Sequence, residues 1–559
     1  MADRNAVSHF GQVETTDIKR SIFPLHFRNI GTCNAGRIIP FLAYSDILPG
    51  DTFKSTTSAV IRMQTPLNPT MDDLFVDTYY FAVPHRLVWD HWKEFMGEVQ
   101  DSSWQTSTVY EVPQITSPSG GVTKGTVADY MGIPKGIAGL KYQALPFRAY
   151  TLIYNTWFRN QNLIAPAQLH TDDTDRTGDN TVAELGGTPF KAGRIPGYLE
   201  TCLPETQRPL PGMTTPSIPL GTAAPVFAGA TNPNIPSTGA SLRFGTTDGT
   251  PIDTSLTDTY YNVIGQAAAS DSKATLRTIL GSSTSLPSPV KFLQPLNLYA
   301  DLTQATSATI NALRLSFQIQ KLFEERGRNG SRYFEVLKGE FGVSPNLGYL
   351  QYPEYLGGKR QPLSLVQVVQ NSSTDSTSPI GWTGGMSHTA FSNEDFTKSF
   401  QEHTILIGVF VVRQYHMYDQ SLNRMWSRRQ KLDYATPVLY HLGEQPVYKK
   451  EIWATGTSAD DQVFGYQERW GEYKYGHETA TGEMNTAYAN SLDVWHYGDK
   501  YASMPTLAQN WFEETSDYID RTLAVSQTLA DQFKFDIVTE ITATRPMPVY
   551  NTPGLIDHF

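Results

Sequence analysis

Four cations and an indole lie within eight residues in one segment of the sequence. They are Arg424, Trp426, Arg428, Arg429 and Lys431. Arginine and lysine side chains bind phosphates, and a tryptophan ring can stack on an unpaired base, so the segment fits single-stranded nucleic acid. It also fits a contact between protein subunits in which the arginines meet carboxylates. The residues alone leave both interpretations open.

A second segment has the spacing of calcium ligands. The residues that follow the order of an EF-hand loop are Asp173, Asp175, Thr177 and Glu184. Asn180 stands where such loops usually carry an apolar residue, and the sequence LGGTPF that follows does not predict an exiting helix. An acidic surface loop is therefore the default interpretation, with a calcium site as the alternative.

Other motifs of catalysis or cofactor binding are absent from the sequence. It contains no Gly-rich phosphate loop, no G-x-S-x-G turn, no H-E-x-x-H helix and no C-x-x-C pair. The 12 histidines are scattered without the spacing of metal ligands. We therefore predict a protein that is not an enzyme and that carries no cofactor.

Composition limits the classes of partner. The chain has 559 residues and a formal net charge of −11, which makes it a poor autonomous binder of nucleic acid. Any such contact must come from a local basic patch or from a separate basic protein. Cys33 and Cys202 are too few for a disulfide framework, and the first residues lack the apolar core of a signal peptide. These features predict a soluble protein that stays where it is made.

The stretch from Asp72 to Glu98 organises the prediction of the fold. Residues 74–83 alternate as a strand rich in aromatic and β-branched residues, and Pro84 ends that strand because it has no N–H to donate. A short helix is predicted to follow. Four aromatic side chains of this stretch are expected in the hydrophobic core or in a subunit interface: Phe81, Trp89, Trp92 and Phe95.

Further strands and helices are spread along the whole chain. The patterns predict strands at 37–47, 53–63, 363–370, 405–412 and 533–542, and helices in the second half of 142–164 and at 306–326. The apolar run 405–412 fits a central strand covered on both faces, whereas 533–542 has one buried and one exposed face. The strands are separated by excursions too long for hairpins, which predicts an elaborated antiparallel sandwich.

Residues 211–292 differ in composition from the rest. They contain nine prolines and only eight charged residues. Disordered segments usually combine low hydrophobicity with high charge, so this segment is better explained as an ordered, loop-rich surface insertion with short strands. Function tends to lie on such loops.

Several sequence blocks resemble one protein family. FAVPHRLVWDHWKEFMGE at 81–98 resembles a signature of microvirus major capsid proteins, in particular of the gokushovirus branch. Five further blocks follow the family's order: LPGDTF at 48–53, the helical block at 300–343, QYPEYLGG at 351–358, FGYQERWGEYKYG at 464–476 and LDVWHYG at 492–498. Together they cover most of the chain outside 211–292, which corresponds to the family's hypervariable insertion.

The resemblance implies a fold and an assembly. The fold would be mainly β: an eight-stranded antiparallel viral jelly-roll barrel with very long loop insertions that carry several helices. Copies of the chain would form a T=1 icosahedral shell around a circular single-stranded DNA genome, assembled in the cytoplasm of a bacterial host. A small basic viral protein would bind DNA beside it, and the insertion at 211–292 would project near the three-fold axes and contact the host surface.

The resemblance also assigns roles to parts of the chain. Residues 1–35 would be an arm on the inner face, 36–210 the first part of the jelly roll, and 293–559 its remainder. Lys19 and Arg20 on the arm, together with the segment from Arg424 to Lys431, are the candidates for the DNA-facing side. One different class stays open on composition alone, namely a secreted β-sandwich protein that binds carbohydrate or processes glycosides.

Overall fold

The computed structural model describes most of the chain. The residues described are 19–98, 108–205, 226–228, 244–246, 261–267, 274–280, 293–295, 298–300, 310–329, 332–342, 344, 346, 351–372, 374 and 379–550. The chain divides into two compact units, one formed by Met1–Arg208 with Glu324–Phe559 and the other by Pro209–Phe323.

Eight long strands form the framework of the first unit. In chain order they are β1 (Ser21–Cys33), β2 (Ile39–Ile47), β3 (Thr52–Met63), β4 (Leu74–Pro84), β5 (Glu354–Pro362), β6 (Thr389–Ser399), β7 (Thr404–Gln414) and β8 (Phe533–Arg545). They make two four-stranded antiparallel sheets, with strand order β1-β8-β3-β6 in the first and β5-β4-β7-β2 in the second. The predicted mainly β, antiparallel fold is therefore confirmed.

The first sheet has one buried and one exposed face because its strands alternate. In β8, the apolar side chains of Phe533, Phe535, Ile537 and Ile541 are buried, whereas Lys534 and the other residues at even positions are more exposed. β8 pairs along its whole length with β1 on one side and along all but its last residue with β3 on the other. The predicted alternation of this strand is confirmed.

The second sheet is covered on both faces. All 11 residues of β7 are buried, and the strand lies between β4 and β2. Gly408 in its centre leaves room for two rings, since a Cβ there would lie 2.8 Å from Phe41 and 3.0 Å from Tyr80. The predicted central, doubly covered strand is thus confirmed.

The main hydrophobic core fills the space between the two sheets. Phe410 of β7 meets Phe535 of β8 at 4.9 Å between ring centroids, and Tyr80 of β4 meets Phe396 of β6 at 5.4 Å. The Tyr80 hydroxyl bonds to Thr57 in the first sheet, so its polar atom is satisfied inside the core. The two sheets are therefore joined by packing as a sandwich.

A second core covers the outer face of the second sheet. The helix α1 (Leu145–Ile153) packs there with alternate residues of β7, such as Ile407 and Val409. Trp89 is fully buried in this core, and its Nε1 donates to Asp173 at 2.5 Å. The loop after β4 is thereby fixed against the sheet.

Long connections carry the remaining elements of the first unit. Besides α1, the longer helices are α2 (Ile310–Asn329) and α3 (Tyr333–Phe341). One-turn helices are Trp92–Phe95, Val127–Tyr130, Gln509–Phe512 and Asp517–Asp520, and a π-turn is Tyr154–Phe158. The 3₁₀ turns are His85–Leu87, Ala183–Leu185, Arg424–Ser427, Lys431–Asp433, Pro437–His441, Lys449–Glu451, Ser458–Asp461, Gly471–Tyr473, Gly482–Met484 and Asp493–Trp495. Short strands are Gln114–Thr116, Lys141–Gln143, Arg176–Thr177, Leu365–Val369, Thr383–Ser387, Glu444–Tyr448 and Val463–Glu468.

The second unit contains three short antiparallel pairs. They are Val226–Ala228 with Leu298–Ala300, Phe244–Thr246 with Leu293–Pro295, and Tyr261–Ala267 with Ala274–Leu280. The other residues of the insertion predicted at 211–292 lie outside the described part of the chain.

Three structural expectations need correction. The arm predicted at 1–35 includes a strand, because Ser21–Cys33 pairs fully with β8; residues 1–18 lie outside the described part. The barrel implied by the resemblance is not closed, since no ladder among the described residues joins the two sheets. The helix predicted after Pro84 is only a 3₁₀ turn and one helical turn, because residues 88–91 leave the helical path to bury Trp89.

A buried charge network holds the long connections near the end of β7. The Nη1 atom of Arg194 lies 2.5 Å from Asp499 Oδ2, and His416 donates to Asp499 Oδ1 at 2.7 Å and to Glu514 at 3.1 Å. Each of these four side chains is at most 3% exposed. With His416 protonated, the network has two positive and two negative charges and is electrically balanced.

Candidate assembly interface

Many large apolar side chains are exposed on one stretch of the connection between β7 and β8. We call this stretch, together with a neighbouring tyrosine, the apolar loop surface. Its members are Met425, Trp426, Leu432, Tyr434, Val438, Tyr440, Leu442 and Tyr473. Trp426 is 72% exposed and Val438 is 84% exposed. Soluble monomers seldom expose so many large apolar side chains in one place, and interfaces are enriched in Trp, Tyr and Met.

Buried ion pairs fix this surface from below. Arg424 lies 3.1 Å from a carboxylate oxygen of Glu451, and Arg428 lies 3.3 Å from one of Glu472. The Arg428 guanidinium also stacks 4.3 Å from the centroid of the Tyr473 ring. These arginines have only 17% and 12% of their side-chain surface exposed, so they position the loop.

The structure therefore separates the five residues that the sequence grouped together. Arg424 and Arg428 are neutralised by carboxylates within the chain and do not present their charge to a phosphate. Trp426, Arg429 and Lys431 are exposed. Since exposed apolar residues now outnumber exposed cations on this loop, its geometry fits a contact with another protein surface better than one with nucleic acid.

Substituting the two neighbouring arginines is expected to separate their roles. Arg428→Ala should lower the free energy of unfolding by about 2 kcal/mol, because it removes one of the two cations beside the buried Glu472 carboxylate. The matched variant Arg429→Ala should change it by less than about 0.5 kcal/mol. Urea unfolding of the subunit measures both changes. Equal effects of the two variants would contradict the positioning role of Arg428.

A second exposed apolar feature is the hairpin between β5 and β6. It pairs Leu365–Val369 with Thr383–Ser387. Its exposed apolar side chains include Val366, Val368, Val369, Trp382 and Met386. A two-stranded ribbon with this surface cannot bury its own apolar side chains, so it is a further candidate for a contact between subunits.

The four aromatic residues predicted for the core or an interface divide into two pairs. Phe81 and Trp89 are fully buried in the second core. Trp92 is partly buried and stacks on His85 at 4.2 Å between ring centroids, while Phe95 is 41% exposed. Burial in the apolar surroundings lowers the pKa of His85 to about 4, so this imidazole is neutral under the stacked ring at neutral pH.

The calcium loop suggested by the sequence is not formed. Asp173 accepts hydrogen bonds from Trp89 and His91, and the Glu184 carboxylate accepts from the backbone and ring of His170. Asp175 accepts from a backbone N–H, and Thr177 belongs to a short strand. No cluster of three metal-ligating side chains occurs in the described part of the chain. The four residues fit the EF-hand order but point to different partners.

Lys19 and Arg20 lie away from the apolar loop surface. Both are exposed and directly precede β1, whose first residue, Ser21, pairs with Arg545 at the end of β8. The segment that begins at Arg424 belongs to the connection that leaves β7 after Gln414. The end of β7 lies at the opposite end of the sandwich from Ser21. The structure therefore does not combine the two basic candidates into one surface.

Sequence patterns did not reveal the apolar loop surface. Residues 432–442 were not singled out because they lack the periodicity of a strand or a helix. A signal was nevertheless present: six large apolar residues occur within eleven positions that also contain turn-forming residues such as Pro437. None of the described helices is both long and apolar enough to cross a membrane.

Comparisons with known proteins identify the family to which the chain is similar. Residues 11–555 match the family described as capsid protein (F protein). Capsid protein VP1 of Spiroplasma virus 4 is 36% identical, with 99% of both chains covered. Capsid protein VP1 of Bdellovibrio phage phiMH2K is 34% identical with both chains covered completely, and that of Chlamydia phage 1 is 33% identical with 98% of both covered.

These matches extend over the whole chain, including the sandwich, the charge network and the apolar loop surface. They confirm the family resemblance and the prediction that the protein is not an enzyme. They also exclude a secreted carbohydrate-binding or glycoside-processing protein, the class that composition alone left open. The chain belongs to the capsid (F protein) family of the Microviridae and is a structural protein of the phage virion.

Proposed function

We propose that copies of this chain associate through the apolar loop surface to form a T=1 icosahedral shell around a circular single-stranded DNA genome. The observation that carries the proposal is the exposure of Trp426, Val438 and their neighbours on a loop that ion pairs hold in place. A fixed loop binds with little loss of conformational entropy. Obligate contacts bury about 2,000 Å² or more, which requires large apolar side chains at their centre.

The pairing of the strands supports a jelly roll as the fold of the shell-forming domain. β1 pairs with β8, β2 with β7, β3 with β6, and β4 with β5. These are the four pairs obtained when one long antiparallel ribbon of eight strands is rolled up so that successive pairs fall in alternate sheets. The long connections then leave from the ends of the sandwich, where they can reach neighbouring copies.

We assign the remaining contacts by charge and position. Lys19, Arg20, Arg429 and Lys431 are exposed cations that could face DNA, but they are few on a chain of net charge −11. A small basic viral protein would therefore supply most of the neutralising charge inside the shell. The insertion at 211–292, with its low charge and many turn-forming residues, is the proposed contact with the bacterial surface. Assembly would take place in the host cytoplasm.

A map of purified particles by electron cryo-microscopy tests the assembly proposal. We expect icosahedral T=1 symmetry, with Trp426 and Val438 buried between copies and single-stranded DNA inside. A shell in which Trp426 and Val438 are exposed to solvent, on either its inner or its outer surface, would contradict the role of the apolar loop surface. A different triangulation number would contradict the T=1 arrangement.

A further inference from the structure

A cavity of about 400 Å³ lies beside the charge network in the first unit. It is bordered by the segments 195–200, 415–424 and 472–478. Four tyrosines contribute to its walls: Tyr198, Tyr415, Tyr418 and Tyr475. The rings of Tyr198 and Tyr475 lie 6.1 Å apart. An aromatic wall of this kind attracts cations through the negative faces of its rings.

Two of the four carboxylates in the cavity wall are already neutralised. Glu451 lies 3.1 Å from Arg424 and also accepts a hydrogen bond from Tyr198. Glu472 accepts from Gln445 and lies 3.3 Å from Arg428. These two carboxylates hold the arginines beneath the apolar loop surface, and their charges are already neutralised by those arginines.

Neither of the other two carboxylates, Glu200 and Glu478, forms a direct ion pair within the described part of the chain, although the protonated His416 also borders the cavity. Glu200 is only 6% exposed; one of its oxygens accepts from the Tyr418 hydroxyl, and the other lies against Gly197, which also borders the cavity. Glu478 is exposed at the rim. Burial, together with the charges of Asp72 and Glu200, raises the pKa of Glu478, and the charge of His416 offsets part of this effect. Buried carboxylates in proteins are normally paired with a cation, whereas Glu200 has only the hydrogen bond from Tyr418, so a cationic ligand would supply its missing counter-ion.

We propose that this cavity binds a primary alkylammonium ion, with its charge between Glu200 and Glu478 and its aliphatic stem against the tyrosine rings. An ammonium group has three donors and can bind two carboxylates together. A divalent metal ion fits less well, because no set of three ligating side chains occurs in the described part of the chain. The proposal concerns ligand binding by the folded subunit and does not depend on how copies assemble.

The same chemistry could come from a free diamine or from a lysine side chain. Calorimetric titration of the purified protein with 1,4-diaminobutane and with Nα-acetyl-lysine methylamide distinguishes these sources. Saturable binding of at least one is expected, whereas 1,4-butanediol, which has the same length and no charge, should not bind. Binding of the diamine alone assigns the site to polyamines, and binding of the lysine derivative assigns it to a side chain.

Substitutions at the two carboxylates test the placement of the charge. Glu478→Gln should weaken binding by about tenfold or more, since a charge-assisted hydrogen bond is lost at an exposed position that does not affect folding. Glu200→Gln should have a similar effect, with its fold checked by circular dichroism. Glu483→Gln, an exposed carboxylate of the same connection that does not border the cavity, should bind normally. Unchanged binding in Glu478→Gln, equal binding of the diol, or no binding of either amine would overturn the proposal.

Discussion

Replacing Asp499 by asparagine is expected to lower the free energy of unfolding of the subunit by about 3–5 kcal/mol. The carboxylate accepts from Arg194 on one oxygen and from His416 on the other, and all three groups are buried. The asparagine side chain has nearly the same shape, but it leaves the positive charges of Arg194 and His416 with Glu514 as the nearest remaining counter-ion. Urea unfolding of the dissociated subunit measures the loss.

An exposed ion pair provides the matched control. Asp461→Asn removes the same charge from a pair with Lys450 in which the carboxylate is 76% exposed, and it should cost less than about 1 kcal/mol. If both substitutions cost the same, the network has no special role in holding the connections together.

The same network predicts how stability depends on pH. Burial and the charge of Arg194 act to lower the pKa of His416, but the carboxylates of Glu514 and Asp499 outweigh them and raise it to about 9. A group with a raised pKa stabilises the fold fully below its unfolded pKa of about 6.5, and this contribution is lost as pH rises toward 9. We expect wild-type stability to decline over this range and Asp499→Asn to decline less, because the substitution removes one of the carboxylates that raise the pKa.

Replacing Val438 by aspartate is expected to abolish shell formation without unfolding the subunit. Val438 is 84% exposed in the subunit, so the substitution should change the free energy of unfolding by less than about 0.5 kcal/mol. In an assembled contact it would bury an unpaired carboxylate, at a cost of several kcal/mol. Each subunit of a closed shell is held by several neighbours at once, so this cost is repeated throughout the particle.

Val438→Ile provides the control at the same position, since it keeps the apolar character and should assemble normally. Sedimentation velocity and negative-stain microscopy measure the proportion of subunits in particles. Wild-type yields of particles from Val438→Asp would show that this part of the apolar loop surface lies outside the contacts. Loss of folded subunit in the aspartate variant would instead place Val438 in the core.

The sequence predicted those elements whose burial depends on neighbouring residues, and it failed for contacts between residues far apart along the chain. The strands β7 and β8 were predicted well because their burial is encoded in neighbouring residues, such as the alternation from Phe533 to Ile541. β1 was missed because its side chains are mostly half-buried or exposed and its partner lies some 500 residues away. No local pattern could indicate that the two sheets would face each other without closing.

The apolar loop surface could likewise not be predicted in full, because its supporting contacts come from residues far away in the sequence. The segment from Arg424 to Lys431 was found from its composition, but its meaning depends on Glu451 and Glu472, which only the fold brings beneath it. The EF-hand order at Asp173 was misleading because Trp89, 84 residues earlier, takes that carboxylate. Arg194 and Asp499 are separated by 305 residues, so nothing near either residue in the sequence indicated the charge network.

The position of β8 between β1 and β3 has a consequence for biosynthesis. β8 is the last of the eight strands to leave the ribosome, yet it lies inside the first sheet and separates two strands made hundreds of residues earlier. Until β8 emerges, β1 and β3 have no common partner, so the backbone N–H and C=O groups on the edges that β8 will pair stay exposed in the nascent chain. A polypeptide whose translation stops before residue 533 therefore retains only the pair of β3 with β6 in the first sheet and leaves β1 without its partner, so we expect truncated products not to reach the fold that assembles.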